Sequence, residues 1–315
     1  MVISQQAYPP VIFLMGPTAA GKTDLAVELV RRLPCEIISV DSALVYRNLD
    51  IGTAKPDLAT LTIAPHHLID ILDPAQIYSV AQFCRDALTL MASITAAGRI
   101  PLLVGGTMFY FKALQDGLAE IPATDAGVRF RLQAQATELG LPALHQRLQL
   151  LDSAAAERIN INDSQRLLRA LEVVTLSGIS QTEYWRRQQP QKLSYDITTI
   201  GVWPTERSLL HRRIEQRFYT MLEAGFETEV STLQERSDLD ASLPAIRCVG
   251  YRQMWQYLEG RCDYVTMVHK AVAATRQLAK RQLTWLRRWP NLHYYDALNV
   301  NTTSNVLKLL ARIPM

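Results

Sequence analysis

The sequence predicts an α/β protein: a parallel sheet carrying a phosphate loop, with a helical insertion and a helical C-terminal segment. Three observations predict it. The apolar run Val11–Met15 breaks into Gly16-Pro17-Thr18-Ala19-Ala20-Gly21-Lys22-Thr23, which is G-x-x-x-x-G-K-T in a strand–loop–helix setting. Short β-rich runs then alternate with helical periodicity, the pattern of a doubly wound sheet. From about Leu118 to Tyr195 that alternation stops and only helical patterns follow one another. The segmentation is therefore a P-loop NTPase-like core over 1–118, an insertion over 119–196, and the rest of the core with basic helices over 197–315.

The loop defines the first element. Its glycines let the backbone curl so that successive N–H groups point inward, and the helix that follows adds its positive end. Lys22 supplies a mobile charge and Thr23 a hydroxyl for Mg²⁺. Gly16 through Thr23 together grip a diphosphate or triphosphate, ATP included. The motif does not say which bond is broken.

A helix over Leu25–Leu33, closed by Pro34, leads to CEIISV and then Asp41. Open α/β sheets bind ligands at the carboxyl ends of their strands, which puts Asp41 on the rim with the loop. It reads equally as a cap of the next turn, beside Ser42. The run HHLIDI (His66–Ile71) precedes a helix over Val80–Ala97. Neighbours on a strand point to opposite faces, so His66 and His67 suit packing or hydrogen bonding better than one metal ion. The strand in Arg99–Thr107 ends in Gly105-Gly106-Thr107, where a nucleotide hydrolase places a carboxylate for Mg²⁺. The glycines there admit a close ligand, and Thr107 offers a hydroxyl.

Inside the insertion, helical patterns cover Thr124–Leu139, Pro142–Leu151, Ser153–Ile159 and Ser164–Leu176. Arg166 and Arg169 share one helix face, as would residues of a solvated surface. Strand character returns at Ile197–Trp203. Helices follow over Glu206–Ala224, Glu227–Arg236, Ile246–Leu258 and Tyr264–Trp289. That last helix has six basic residues and no acidic one, with Trp285 and Trp289 interleaved. Arg276, Lys280 and Arg287 form a stripe, either a footprint for a phosphate backbone or a basic surface helix.

Composition is that of a globular protein: 48% hydrophobic, 20% charged, and a net charge of +3 that confines any nucleic-acid surface to a local patch. The four cysteines form no C-x-x-C pair, as suits reduced thiols and a cytoplasmic protein without zinc. No apolar run reaches the roughly 18 residues of a membrane span, and the N-terminus lacks the pattern of a signal peptide.

The blocks GPTAAGKT, DSALVYRNLDIGTAKP, HHLIDI, GGTMFY, QRLLRALEV, RIEQRF, IRCVGYRQMW and ATRQLAKRQLTWLR, in this order, closely resemble the tRNA dimethylallyltransferases of bacterial type. The resemblance implies transfer of a dimethylallyl group from dimethylallyl diphosphate to N6 of the adenosine 3′ of a tRNA anticodon (position 37), with Mg²⁺ as cofactor and a monomeric enzyme. It implies tRNA contacts at Asp41, Ser42, Ala43 and Leu44; at Thr107 and Arg129; at Gln165, Arg166, Leu167, Leu168 and Arg169; at Arg247, Cys248, Val249, Gly250, Tyr251 and Arg252; and at Lys280, Arg281, Gln282 and Arg287. Arg217, in RIEQRF, matches the family's diphosphate-binding arginine. Within that chemistry Asp41 is the candidate base, since the adenine amine must lose a proton as it attacks. Thr107 holds substrate in place. A kinase of small molecules or nucleotides is the rival reading.

Overall fold

The computed structural model describes residues 8–188 and 193–312. Two compact units form, one from Met1–Gln115 with Ser194–Met315 and one from Asp116–Leu193.

The first unit is built on β1 (Pro10–Met15), α1 (Lys22–Arg32), β2 (Cys35–Val40), α2 (Leu58–Ile63), β3 (His66–His67), α3 (Val80–Ala96), β4 (Ile100–Gly105) and α4 (Met108–Asp116). The second holds α5 (Ala126–Leu151), α6 (Ser153–Arg158), α7 (Ser164–Ser177) and α8 (Gln181–Arg187). The chain then returns with β5 (Asp196–Trp203), α9 (Arg207–Glu223), α10 (Phe226–Gln234), α11 (Tyr251–Leu258), α12 (Tyr264–Leu286), β6 (His293–Asp296) and α13 (Thr302–Leu310).

Six strands make one sheet in the order β3-β2-β4-β1-β5-β6, every pair parallel. Parallel strands covered on both faces read as continuous apolar runs, and β1, β2 and β4 do. On one face Ile12, Leu14, Ile37, Leu102, Val104 and Ile200 pack against Leu25 and Leu29 of α1 and Val306 of α13. On the other, Phe13 meets Phe111 of α4 at 5.1 Å between ring centroids, and Phe111 meets Trp289 at 6.4 Å. The second unit has its own core, in which Leu132, Leu144, Leu148, Leu167, Leu168 and Leu171 interlock.

Several expectations need correction. HHLIDI pairs only through His66 and His67, because Leu68 and Asp70 turn to positive φ (64° and 56°) and leave the sheet. The helix expected from Ile246 begins at Tyr251, after turns through 244–250 that end at Gly250 with φ 94°. The two patterns around Gly140, by contrast, hold: Gly140 leaves helical geometry (φ 81°, ψ 159°), and α5 is two helices that meet there at a kink. Neither α8 nor β6 is legible as an element. HYYD carries no apolar alternation and becomes a strand by pairing at the sheet edge with Ile200–Trp203 of β5.

Candidate active site

The carboxyl ends of β1, β2 and β4 open into one cavity of about 610 Å³. Thr18, Ala19, Lys22 and Thr23 of the loop line it with Asp41, Ser42, Ala43, Leu44, Thr107 and Arg217. Arg247, Cys248, Val249, Gly250 and Tyr251 line it too, as do Arg281 and Gln282 of α12. Segments up to 264 residues apart in sequence meet here because parallel strands deliver all their carboxyl ends to one edge.

The loop has the shape its sequence requires. Gly21 caps α1 in the left-handed region (φ 86°), and Ala19 takes φ 61°. The first turn of α1 leaves N–H groups without intrahelical acceptors, pointed where an anion would sit. Gly16, Pro17 and Ala20 are buried and shape the turn: Gly16 N–H donates to the Gly105 carbonyl at 3.4 Å, and Ala20 N–H to the Pro17 carbonyl at 3.3 Å. Lys22 Nζ donates to the Pro17 carbonyl at 2.8 Å. Burial pulls its pKa down to about 8, while Asp41 raises it and Arg217 lowers it further.

Asp41 follows β2 directly, and one oxygen, Oδ1, accepts from the N–H groups of Ala43 (2.8 Å) and Leu44 (3.3 Å). The two readings of this residue are thus compatible. Oδ1 holds the turn, and Oδ2 has no hydrogen bond among the described residues. Thr107 stands just before α4, its N–H on the Val40 carbonyl at 3.2 Å. Its hydroxyl faces no partner among the described residues. Arg217 is half-buried, donates to the Thr53 carbonyl at 3.3 Å and feels the charge of Asp41. Burial lowers its pKa first, Asp41 opposes that, and nearby Arg213 adds to it.

Three residues that sequence reading did not single out shape this cavity. Arg213 lies beside the loop, its Nη2 3.5 Å from where a Cβ on Gly21 would stand. Its spacing of four from Arg217 on one helix was the available signal. Glu229 of α10 accepts from the N–H groups of Asp50 (3.0 Å), Ile51 (2.7 Å) and Gly52 (3.1 Å), and from the Tyr251 hydroxyl at 2.5 Å. It fixes the loop whose next carbonyl, Thr53, holds Arg217. Lys55, almost fully buried, ties the same loop to the Tyr46 carbonyl, Asp50 and Asp70.

Other candidates take different roles from those expected. The glycines closing β4 line the cavity and also make room for protein. A Cβ on Gly105 would stand 2.0 Å from the Val40 carbonyl oxygen, and one on Gly106 would stand 2.4 Å from Nε2 of Gln282. Gln282 itself is turned inward, accepting from Thr18 N–H at 2.9 Å and donating to the Gly106 carbonyl at 2.8 Å. It braces the phosphate loop against the end of β4. Tyr251 is likewise buried, with its hydroxyl on Glu229. Arg276 leaves the expected stripe by pairing with Glu215 at 2.8 Å. Lys280, Arg281, Arg287 and Arg252 are exposed and have no carboxylate partner among the described residues.

In the second unit, Gln165 and Arg166 are exposed, whereas Leu167 and Leu168 are core. Arg129 and Arg169 converge on the fully buried carboxylate of Glu172, at 3.8 and 2.9 Å. That carboxylate also accepts from Asp125 N–H at 2.9 Å. The two arginines are therefore positioned from within, through a buried charge that needs both. His66 Nδ1 meets the Ala64 carbonyl (2.6 Å) and His67 Nε2 meets Glu36 (3.0 Å). No described helix is long and apolar enough to cross a membrane.

Comparison with known proteins follows the same lines. The family model described as IPP transferase matches residues 44–289. A tRNA isopentenylpyrophosphate transferase from Bacillus halodurans is 36% identical, with a TM-score of 0.70 over 96% of this chain and 95% of that one. A tRNA delta(2)-isopentenylpyrophosphate transferase from Staphylococcus epidermidis is 30% identical, with a TM-score of 0.70 over 96% of this chain and 99% of that one. A eukaryotic dimethylallyltransferase acting on tRNA shares the fold at 22% identity, with a TM-score of 0.81 over 98% of this chain and 81% of that one. With three quarters of its length inside the family model, and with close structural relatives over nearly all of it, the chain belongs to the IPP transferase family.

Proposed function

We propose that this prenyltransferase moves a dimethylallyl group from its diphosphate to N6 of the adenosine 3′ of a tRNA anticodon. The observation that carries the reading is the single cavity with the phosphate loop and Arg217 among its walls and Asp41 on its rim. The allylic C1–O bond breaks and its electron pair leaves with diphosphate. The adenine amine forms the new N6–C1 bond and gives up a proton to Oδ2 of Asp41, the oxygen not engaged by the turn. Charge gathers on the departing diphosphate, and the loop N–H groups, Lys22 and Arg217 face it, with Arg213 beside the loop. Thr107 keeps its hydroxyl for the incoming amine or a donor oxygen.

Mg²⁺ fits this site as an ion carried by the diphosphate. Thr23 brings a hydroxyl to the cavity. Among the described residues no cluster of three or more His, Cys, Asp or Glu side chains could cage a metal. Such a donor set suits a cation that keeps its waters and binds through substrate phosphates. When bound, it neutralises charge on the leaving group.

The RNA partner follows from the same geometry. An adenine stacked in a loop cannot reach the rim of β2, so it must be extruded into the cavity. Exposed Lys280, Arg281, Arg287, Arg247, Arg252 and Arg166 supply cations for a phosphate backbone. One chain supplies all of these residues, as suits a monomer acting where tRNA is processed. The deciding experiment incubates the protein with undermodified tRNA, dimethylallyl diphosphate and Mg²⁺, without ATP, and weighs the nucleosides of a digest. A five-carbon adduct on adenosine is expected. An unmodified digest, or a product that needs ATP, would favour the kinase instead.

A further inference from the structure

Beyond the cavity, the end of α12 and the second turn of α4 enclose a smaller one of about 250 Å³. Lys112, Thr284, Trp285, Arg288, Trp289 and Pro290 line it. Trp285 belongs to both cavities and is 42% exposed, so its indole is a shared partition with accessible surface. Phe109, one helical turn before Lys112, is 52% exposed on the rim of the main cavity. The floor carries a second indole of different character. Trp289 is 7% exposed, and its Nε1 is buried without a hydrogen-bond partner among the described residues. Arg288 is exposed and has no carboxylate partner among the described residues.

We infer that this smaller cavity is a second nucleotide subsite, which takes one unstacked base of the RNA loop that delivers the target adenine. The inference rests on the reading of the main cavity as the adenine site. Its chemistry is that of a nucleotide: a flat ring for the accessible indole face of Trp285 and a phosphate for Arg288. Its position fits a loop already opened by extrusion of one base, because an RNA with one nucleotide in the main cavity has its neighbours near Trp285. Stacking supplies affinity without strong sequence preference, so the subsite holds the loop open more than it reads its sequence.

A cycle of two changes tests this. Anticodon stem-loop RNAs are made with a single abasic residue at each loop position other than the target, and their binding is measured with the parent and with Thr284→Trp, which fills the cavity from an exposed helix position. One abasic position should weaken binding to the parent ~tenfold. Thr284→Trp should bind the intact RNA weaker by the same factor and show no further loss with that abasic RNA. If Thr284→Trp binds intact RNA as the parent does, or if every abasic penalty is equal in both proteins, the subsite does not exist. Unchanged affinity for dimethylallyl diphosphate checks that the variant is folded; should it fail that check, Arg288→Ala runs the same cycle from the rim. An absence of prenyl transfer by the parent would refute the reading of the main cavity, whereas the binding cycle reports on the subsite separately.

Discussion

Lys22 is a buried ammonium held by one carbonyl, and burial has brought its pKa to about 8 from an ordinary 10.5. A bound diphosphate favours the charged form, so donor binding above pH 8 must take up a proton. Donor affinity should be flat below about pH 7 and fall up to ~tenfold per pH unit above 8. Calorimetry in two buffers of unlike ionisation enthalpy would detect that proton, and a flat profile to pH 10 would remove the linkage. The same shift has a cost for folding. Because the folded pKa lies below the unfolded one, charged Lys22 destabilises the protein at pH below 8, by about 3 kcal/mol at most, and the penalty fades as pH rises toward 10.5. Lys22→Met should therefore abolish donor binding yet raise the Tm at neutral pH. Asp41 behaves differently, since its two oxygens divide the work. Asp41→Asn keeps an acceptor for the Ala43 and Leu44 N–H groups while losing the base, so kcat should drop about 10²–10⁴-fold with tRNA binding retained. Turnover of the variant near the parent's would exclude Asp41 as the base.

Elements act here through what they brace. Glu229, on α10, holds three N–H groups of the 50–52 turn and the hydroxyl of Tyr251 at the head of α11. Glu229→Ala leaves those donors without their acceptor and should cost about 3 kcal/mol of stability. It should also lower kcat more than it raises the KM for tRNA, because the Thr53 carbonyl that orients Arg217 comes next in the chain. Equal activity at a temperature where the variant is folded would show that Arg217 needs no such brace. Helix α12 has two faces with different tasks. Gln282 looks inward to the phosphate loop, while Lys280 and Arg287 look outward. Replacing both cations with Ala should weaken tRNA binding and lower the slope of log K against log salt by about 1–2, with donor affinity unchanged. The basic pattern of this helix was plain in the sequence. That Arg276 is spent on Glu215 was not, because a charge partner on another helix is set by packing.

For the molecule as a whole, two compact units with separate cores imply two reserves of stability. Leu171→Ala, in the core of the second unit, should cost about 2–5 kcal/mol there. Hydrogen exchange should then quicken across 126–187 and stay unchanged in the sheet, with donor affinity retained. Loss of protection in β1 and β4 to the same degree would mean one cooperative unit. By itself the sequence determined the phosphate loop, the strands β1, β2, β4 and β5, and the helical character of the insertion. Each of these is a local pattern, a glycine spacing or an apolar period, written in consecutive residues. The tertiary structure decided what arrives opposite that loop. Arg213 beside Gly21, Glu229 beneath the 50–52 turn, Gln282 against Gly106 and the edge strand β6 depend on partners far away in the chain. Their roles come from the closing of the sheet and its helices around one rim, and no short stretch of residues encodes that encounter.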